Sequence, residues 1–427
     1  MKQFLLFCLY IIFSAQIVCA SSAPGLSFST QVHGDIYGQP KVIEDVDGDG
    51  VRDIIFGATD GKVHIVSGGT GEEIFRPPFW PKQTGGPILS DVQLADLTGD
   101  GRTEVIVSSQ DGKVYCLNHL GRELWTVDTR GKLLVSPPEI ADIDGNGVFN
   151  VLVGSNAGTV SRIDPMGRLV WEIRQTTSVS AAVVARDING NGVKEIITKD
   201  DNGNVVILQN NGIPMQGWPK QTAPNMTWPF DVDANDVTGD GMQEIFTTTP
   251  DRRFIMWSHD GQKMTEFPLT DGAHTAPVLA DVNGNGRDEF IIAQADGTIS
   301  VTDSRGNSLS GWPFQTGHAI YHAPRLIDIN GDGNLNIVFT AWDPAGEGSQ
   351  AGYIMALSRD GTVLSDFPKY IGKTIAPLTF ADLNNNGYLE MIAAGGINYT
   401  DKQLHVFPTR ARNRVRIAVL GQEVNYE

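Results

Sequence analysis

The chain is poor in cysteine, with three in 427 residues: Cys8, Cys19 and Cys116. The first two fall in a stretch that reads as a removable leader. Only Cys116 is left for the mature chain, which excludes an internal disulfide framework. Long apolar runs are also scarce. The one present, Phe4 to Phe13, follows Lys2 and precedes Val18-Cys19-Ala20, a small-residue cleavage pattern. It is short of the roughly 20 residues that a membrane helix needs. Residues 1–20 are therefore predicted to be a secretory signal peptide, and Val18 argues against a lipid anchor at Cys19. The expected location is secreted, or periplasmic in a Gram-negative host. Basic residues are outnumbered, 32 Lys and Arg against 50 Asp and Glu, for a formal charge of −18. That balance argues against nucleic acid or an anionic membrane as partner. Also missing are a sustained 3.6-residue apolar period, a nucleophile motif, a His/Glu metal signature and a phosphate loop.

What is present is an acidic motif, Asp-x-Asp-x-Asp-Gly-x-x-Asp, in strict or softened form, occurring eight times at spacings of 45–54 residues. A period of that size marks a repeat architecture. Positions 1, 3, 5 and 9 read Asp45, Asp47, Asp49, Asp53 in the first loop and Asp96, Thr98, Asp100, Glu104 in the second. The third has Asp142, Asp144, Asn146, Asn150 and the fourth Asp187, Asn189, Asn191, Glu195. The fifth has Asp236, Thr238, Asp240, Glu244 and the sixth Asp281, Asn283, Asn285, Glu289. The seventh has Asp328, Asn330, Asp332, Asn336 and the eighth Asp382, Asn384, Asn386, Glu390. Oxygens at alternate positions of a curled loop, with glycine at position 6 to permit the turn, suit a hard cation that takes about six to eight oxygen ligands. Calcium, up to one ion per blade, is the expected cofactor. An EF-hand is excluded because position 12 is never acidic; it is Phe56, Val107 and Val153 in the first three loops. The acid at position 9 is taken as the further ligand. Asn150 and Asn336 replace it, so loops three and seven are expected to bind more weakly.

Around each loop the pattern is constant. A short apolar segment precedes it, a β-rich run follows, then a Gly turn, an alternating strand and an outer segment bearing Trp or Phe and often Pro, such as Trp80-Pro81 and Trp218-Pro219. Four short strands per repeat are the signature of a propeller blade. The predicted fold is all-β, an eight-bladed β-propeller over 21–408, followed by a basic tail over 409–427. After the eighth loop the chain lacks an evident fourth strand, so Leu26–Gln31 is predicted to complete the last blade, with Val415–Leu420 as the rival.

The run Asp45-Val46-Asp47-Gly48-Asp49-Gly50-Val51-Arg52-Asp53, followed by Ile54-Ile55-Phe56-Gly57-Ala58, resembles the FG-GAP/VCBS repeat of the integrin-α-like propeller family. That resemblance implies calcium in the loop joining the first two strands of each blade. It also implies a role in adhesion or recognition of a protein or glycan, as in the lectins of that family. Related polysaccharide lyases supply the alternative, a carbohydrate-active enzyme. Asp111–Leu117 and Glu123-Leu124-Trp125 also resemble quinoprotein repeats, though no cofactor constellation accompanies them. Opposite the metal loops, enlarged turns and inter-blade links place Trp228, His274, Tyr321, His322, Trp342 and Tyr399 as a candidate ligand patch. His274 and His322 are the candidate bases for the enzyme alternative. Asn225 and Asn398 head glycosylation sequons.

Overall fold

The computed structural model describes residues 25–129, 136–224, 230–343, 351–397 and 402–413, together with the backbone of 417–419 and 422–424. The expected signal peptide, both sequons, Trp228 and Tyr399 lie outside the described residues. Eight antiparallel sheets form the blades of a propeller. Blade one runs, from the axis outward, Lys41–Ile43, Asp53–Gly57, Lys62–Val66 and Lys82–Gln83. The other blades repeat this order, and no helix interrupts it among the described residues.

The burial pattern explains the sequence pattern. Second strands such as Asp53–Gly57 and Glu195–Lys199 are buried along their whole length, because neighbouring blades cover both faces. They read as continuous apolar runs for that reason. Outer strands such as Leu169–Arg174 alternate between exposed and half-buried positions. Blade-to-blade cores do most of the packing: Ile55, Ile65, Val105, Val107 and Leu117 fill the seam between blades one and two. Outer tryptophans bolt four of the blades to the next. Trp125, Trp171, Trp218 and Trp312 donate their indole N–H groups to the carbonyls of Pro165, Asn210, His259 and Arg359, at 2.9–3.3 Å.

The ring closes on the N-terminal side. Phe28–Gln31 pairs antiparallel with Gln403–Arg412, from Phe28 opposite Val406 to Gln31 opposite Gln403, as the outer strand of blade eight. Ile54 and Phe56 of blade one share a core with Ile392 and Val406 of blade eight. The rival segment goes elsewhere. Its described part, Ile417–Val419, forms a hairpin with Gln422–Val424 and pairs with the innermost strand of blade seven, Leu326 opposite Ala418. The expected domain boundary at residue 408 falls inside the long strand Gln403–Arg412.

Candidate functional site

All eight acidic loops join the first and second strands of their blades, so they share one face. Two hydrogen bonds recur in every loop. The position-6 glycine N–H donates to the position-1 aspartate at 2.7–2.9 Å. The position-7 N–H donates to the position-5 side chain over the same range. These bonds curl each loop identically, and the donor from Gly50 is the first reason why the Asp45 carboxyl sits below its usual range. Gly48 and Gly50 both have φ near +87°, the left-handed conformation that the curl requires. Neighbouring loops also interlock: Arg52, Lys194 and Gln243 donate N–H groups to Leu383, Ile143 and Ile188 at 2.8–2.9 Å.

Position 9 does different work from positions 1 to 5. Its side chain lies beneath the loop and accepts the position-2 N–H: Asp53 from Val46, Glu104 from Leu97, Glu195 from Ile188 and Glu244 from Val237. Glu289 and Glu390 hold Val282 and Leu383 in the same way, and Asn336 holds Ile329. The second oxygen of Glu390 also accepts the N–H of Leu26, tying the N-terminal strand to loop eight. Burial raises the carboxyls of Glu104, Glu195, Glu244, Glu289 and Glu390, and that of Asp53 to about 6.

Loop one passes a test of fit for a hard cation. Oxygens of the side chains of Asp45, Asp47 and Asp49 converge within 4.8 Å of one another. Among the described residues, no Lys or Arg side chain makes an ion pair with any of them. Adjacent unit charges about 4 Å apart repel by roughly 1–4 kcal/mol between water and protein-surface dielectric, so such a cluster favours a cation at its centre. The donors are all oxygen, the set that suits calcium rather than a soft metal. Loops two and five offer Asp96, Asp100 and Asp236, Asp240, with Thr98 and Thr238 at position 3. In loops four and six, Asn189 and Asn283 turn their amides to the glutamates Glu195 and Glu289, at 2.8 and 2.7 Å. Asn330 and Asn384 accept the N–H groups of Asp332 and Asn386 in loops seven and eight. Loop three stands apart, because Asp144 and Asn150 both contact Arg162.

On the opposite face the structure brings together three of the predicted patch residues. His274 stacks on Tyr321 with ring centroids 5.0 Å apart and planes 5° from parallel. Tyr321 stacks on Trp342 at 5.8 Å, and Phe230 continues the column beyond His274 at 5.2 Å. Lysines cap both ends: Lys373 lies 4.2 Å from the Trp342 ring and Lys199 5.7 Å from that of Phe230. Ring faces are thus consumed within the column, so a ligand meets edges and polar atoms rather than open stacking surfaces. The Trp342 indole N–H is buried and has no hydrogen-bond partner among the described residues. Burial, helped by Arg325 and His274, pushes His322 down to about 3. It stays a neutral imidazole at ordinary pH and makes a weak general base.

Sequence reasoning missed the charges on the inner strands. Arg186 of blade four pairs with Glu139 of blade three at 3.6 Å and Asp233 of blade five at 2.9 Å. Lys41 lies 4.0 Å from Asp91. Burial lowers Lys41 and raises Glu139 and Asp233. Each looks like an ordinary strand residue until closure of the ring places several blades side by side.

Residues 236–292 and 281–339 match the FG-GAP-like repeat family, and residues 73–140 match the family described as the lambda-carrageenase beta-propeller domain. The eight-bladed propeller thus carries FG-GAP-like repeats over residues 236–339. No curated protein matches it significantly. Among solved structures, the chain is similar to the biofilm matrix protein Bap1 of V. cholerae, with TM-score 0.66 and 15% identity, covering 91% of this chain and 90% of that one. It is also similar to the computationally designed Ika8 protein, with TM-score 0.60 and 15% identity over 88% and 97% of the two chains. A third similar structure, the quinohemoprotein alcohol dehydrogenase of Comamonas testosteroni, has TM-score 0.53 and 12% identity over 94% and 77%. At these identities the likeness is one of fold.

Proposed function

We propose that this propeller is a secreted calcium-binding recognition or adhesion module for an extracellular protein or glycan. The observation that carries the proposal is the convergence of the Asp45, Asp47 and Asp49 carboxylates, none of which is ion-paired to a Lys or Arg among the described residues; the nearby Arg76 guanidinium donates to the Asp47 backbone carbonyl at 3.1 Å. The repeated hydrogen-bond pattern extends the same oxygen-lined curl around the whole face. Calcium bound there supplies positive charge that offsets the carboxylates and ties each loop to its blade. The chain's own residues do the rest: position 1 orders the loop backbone, and position 9 fixes the loop to the strand beneath. The opposite face, which carries the aromatic column, offers the recognition surface. A biofilm matrix protein among the similar folds accords with adhesion.

A second reading, a carbohydrate-active enzyme, draws on the match of residues 73–140 to the family described as the lambda-carrageenase beta-propeller domain. The depressed basicity of His322 weighs against it as the base. The test is binding of the purified mature chain to a glycan array and to immobilised extracellular matrix proteins, in calcium and in chelator, with Trp342→Ala and Tyr321→Ala alongside. Calcium-dependent binding weakened by these substitutions supports the module. Release of oligosaccharide products from carrageenan or from uronate polysaccharides supports the enzyme instead. Binding indifferent to both calcium and the column removes the proposal.

A further inference from the structure

The third blade departs from the pattern in two places that meet in space. Position 9 of its loop is Asn150, not an acid. On the adjacent third strand, Arg162 pairs with Leu152, two residues beyond Asn150. The equivalent position is apolar and buried in every other blade: Ile65 and Cys116 in blades one and two, Ile207, Met256, Val301 and Ala356 in blades four to seven, and Val406 in blade eight.

Arg162 is itself buried, 6% exposed. Its Nε donates to Asn150 Oδ1 at 2.8 Å, and its Nη1 donates to Asp144 Oδ1 at 3.2 Å. Nη2 donates to the other oxygen of Asp144, completing a two-pronged guanidinium–carboxylate contact. Nη1 also reaches the carbonyl of Asn210 in blade four at 2.9 Å, and the Asn210 amide returns a bond to Asp144 at 2.9 Å. One guanidinium thus contacts the position-3 and position-9 groups of its loop and the next blade. We infer that Arg162 is a built-in substitute for the metal ion, so that loop three is held by a covalently attached cation and binds no calcium. A planar fork fixed on a strand satisfies Asp144 without an ion. The neutral Asn150 is then the fitting partner: it accepts from Nε, and with Asp142 and Asp144 it leaves this loop fewer carboxylates than loop one.

This inference rests on the reading of the other loops as calcium sites, and the experiment separates the two. Bound calcium per chain is counted by equilibrium dialysis with elemental analysis for the mature protein, Asp47→Asn and Asp144→Asn. The expected result is loss of one ion with Asp47→Asn and none with Asp144→Asn, whose melting temperature falls equally in calcium and in chelator. Loss of one ion with Asp144→Asn overturns the substitution while leaving the calcium reading intact. No calcium on the unaltered protein overturns the calcium reading, and the substitution with it. The double variant Asn150→Asp with Arg162→Met keeps the proposal testable if Asp144→Asn folds poorly. It restores an acid at position 9 and an apolar residue on the strand, and is expected to gain one ion; no gain counts against the substitution.

Discussion

Replacing Lys199 by methionine tests the electrostatic account of the inner blades. The Lys199 side chain is 2% exposed, and its Nζ donates to Thr247 Oγ1 and the Thr248 carbonyl, both at 3.1 Å. Among the described residues no carboxylate lies at ion-pair distance from it. Burial pushes its pKa from 10.5 down to about 7, against the attraction of Asp231 and Asp251. Between those two values the unfolded chain holds a proton that the folded chain lacks, so stability rises with pH in that window, by roughly 1.4 kcal/mol per pH unit. The burden at neutral pH and below is therefore about 5 kcal/mol at most. Methionine has a similar reach and no charge, but it leaves Thr247 and the Thr248 carbonyl without their donor, a loss of about 1–3 kcal/mol. Lys199→Met is expected to be about 2–4 kcal/mol more stable than the parent near pH 7. That advantage should shrink steadily toward pH 9. Urea titrations at three pH values across this window measure it. A variant less stable at neutral pH by an amount independent of pH would refute the reasoning.

Other expectations follow from the same contacts. His64 is buried, which disfavours its charged form, but hydrogen bonds to Asp60 and Glu73 outweigh burial and raise its pKa above 6.5. Its pairing therefore stabilises fully below about 6.5 and fades as pH rises through the higher folded value. His64→Gln should lose stability at pH 5.5 more than at pH 8.5 in thermal melts, and an equal loss at both contradicts this. Phe254 packs within 4.6 Å of Phe267 and 4.8 Å of Phe290 with no exposure. Phe254→Ala should lower unfolding free energy by about 3–5 kcal/mol, and a loss under about 1 kcal/mol on this scale argues that blade five packs differently. Deleting residues 25–31 uncovers the edge of Gln403–Arg412, an invitation to strand pairing between chains. Size-exclusion chromatography should show self-association beyond that of the intact chain, and an unchanged elution profile speaks against the closing strand.

The sequence carried the fold far because the acidic loops punctuate it. Each loop marks the start of a largely buried second strand, so Asp53–Gly57 and most of its counterparts are legible as apolar runs in the sequence. Gln403–Arg412 runs past the expected boundary at 408, because Pro408 and the arginines that follow look like the end of a strand. The site was only half legible. His274, Tyr321 and Trp342 could be nominated as aromatic link residues, but their mutual stacking depends on three consecutive blades meeting at one rim. Position 9 was legible as an acid, not as a residue turned beneath the loop. Arg162 gave no sign at all. Within Ser161-Arg162-Ile163 it is an ordinary strand residue, and only its register against Leu152 brings it to Asn150 and Asp144.

The most direct measurement is the melting temperature of the mature chain, with bound calcium counted on the same sample, before and after chelation. One site filled about a hundredfold above its Kd stabilises by roughly 2.7 kcal/mol, against a whole-domain margin of about 5–15 kcal/mol. Several bound ions and a large drop in melting temperature on chelation are the expected result, reversed by adding calcium back. A chain that holds no calcium at millimolar supply and melts identically in chelator would contradict the account.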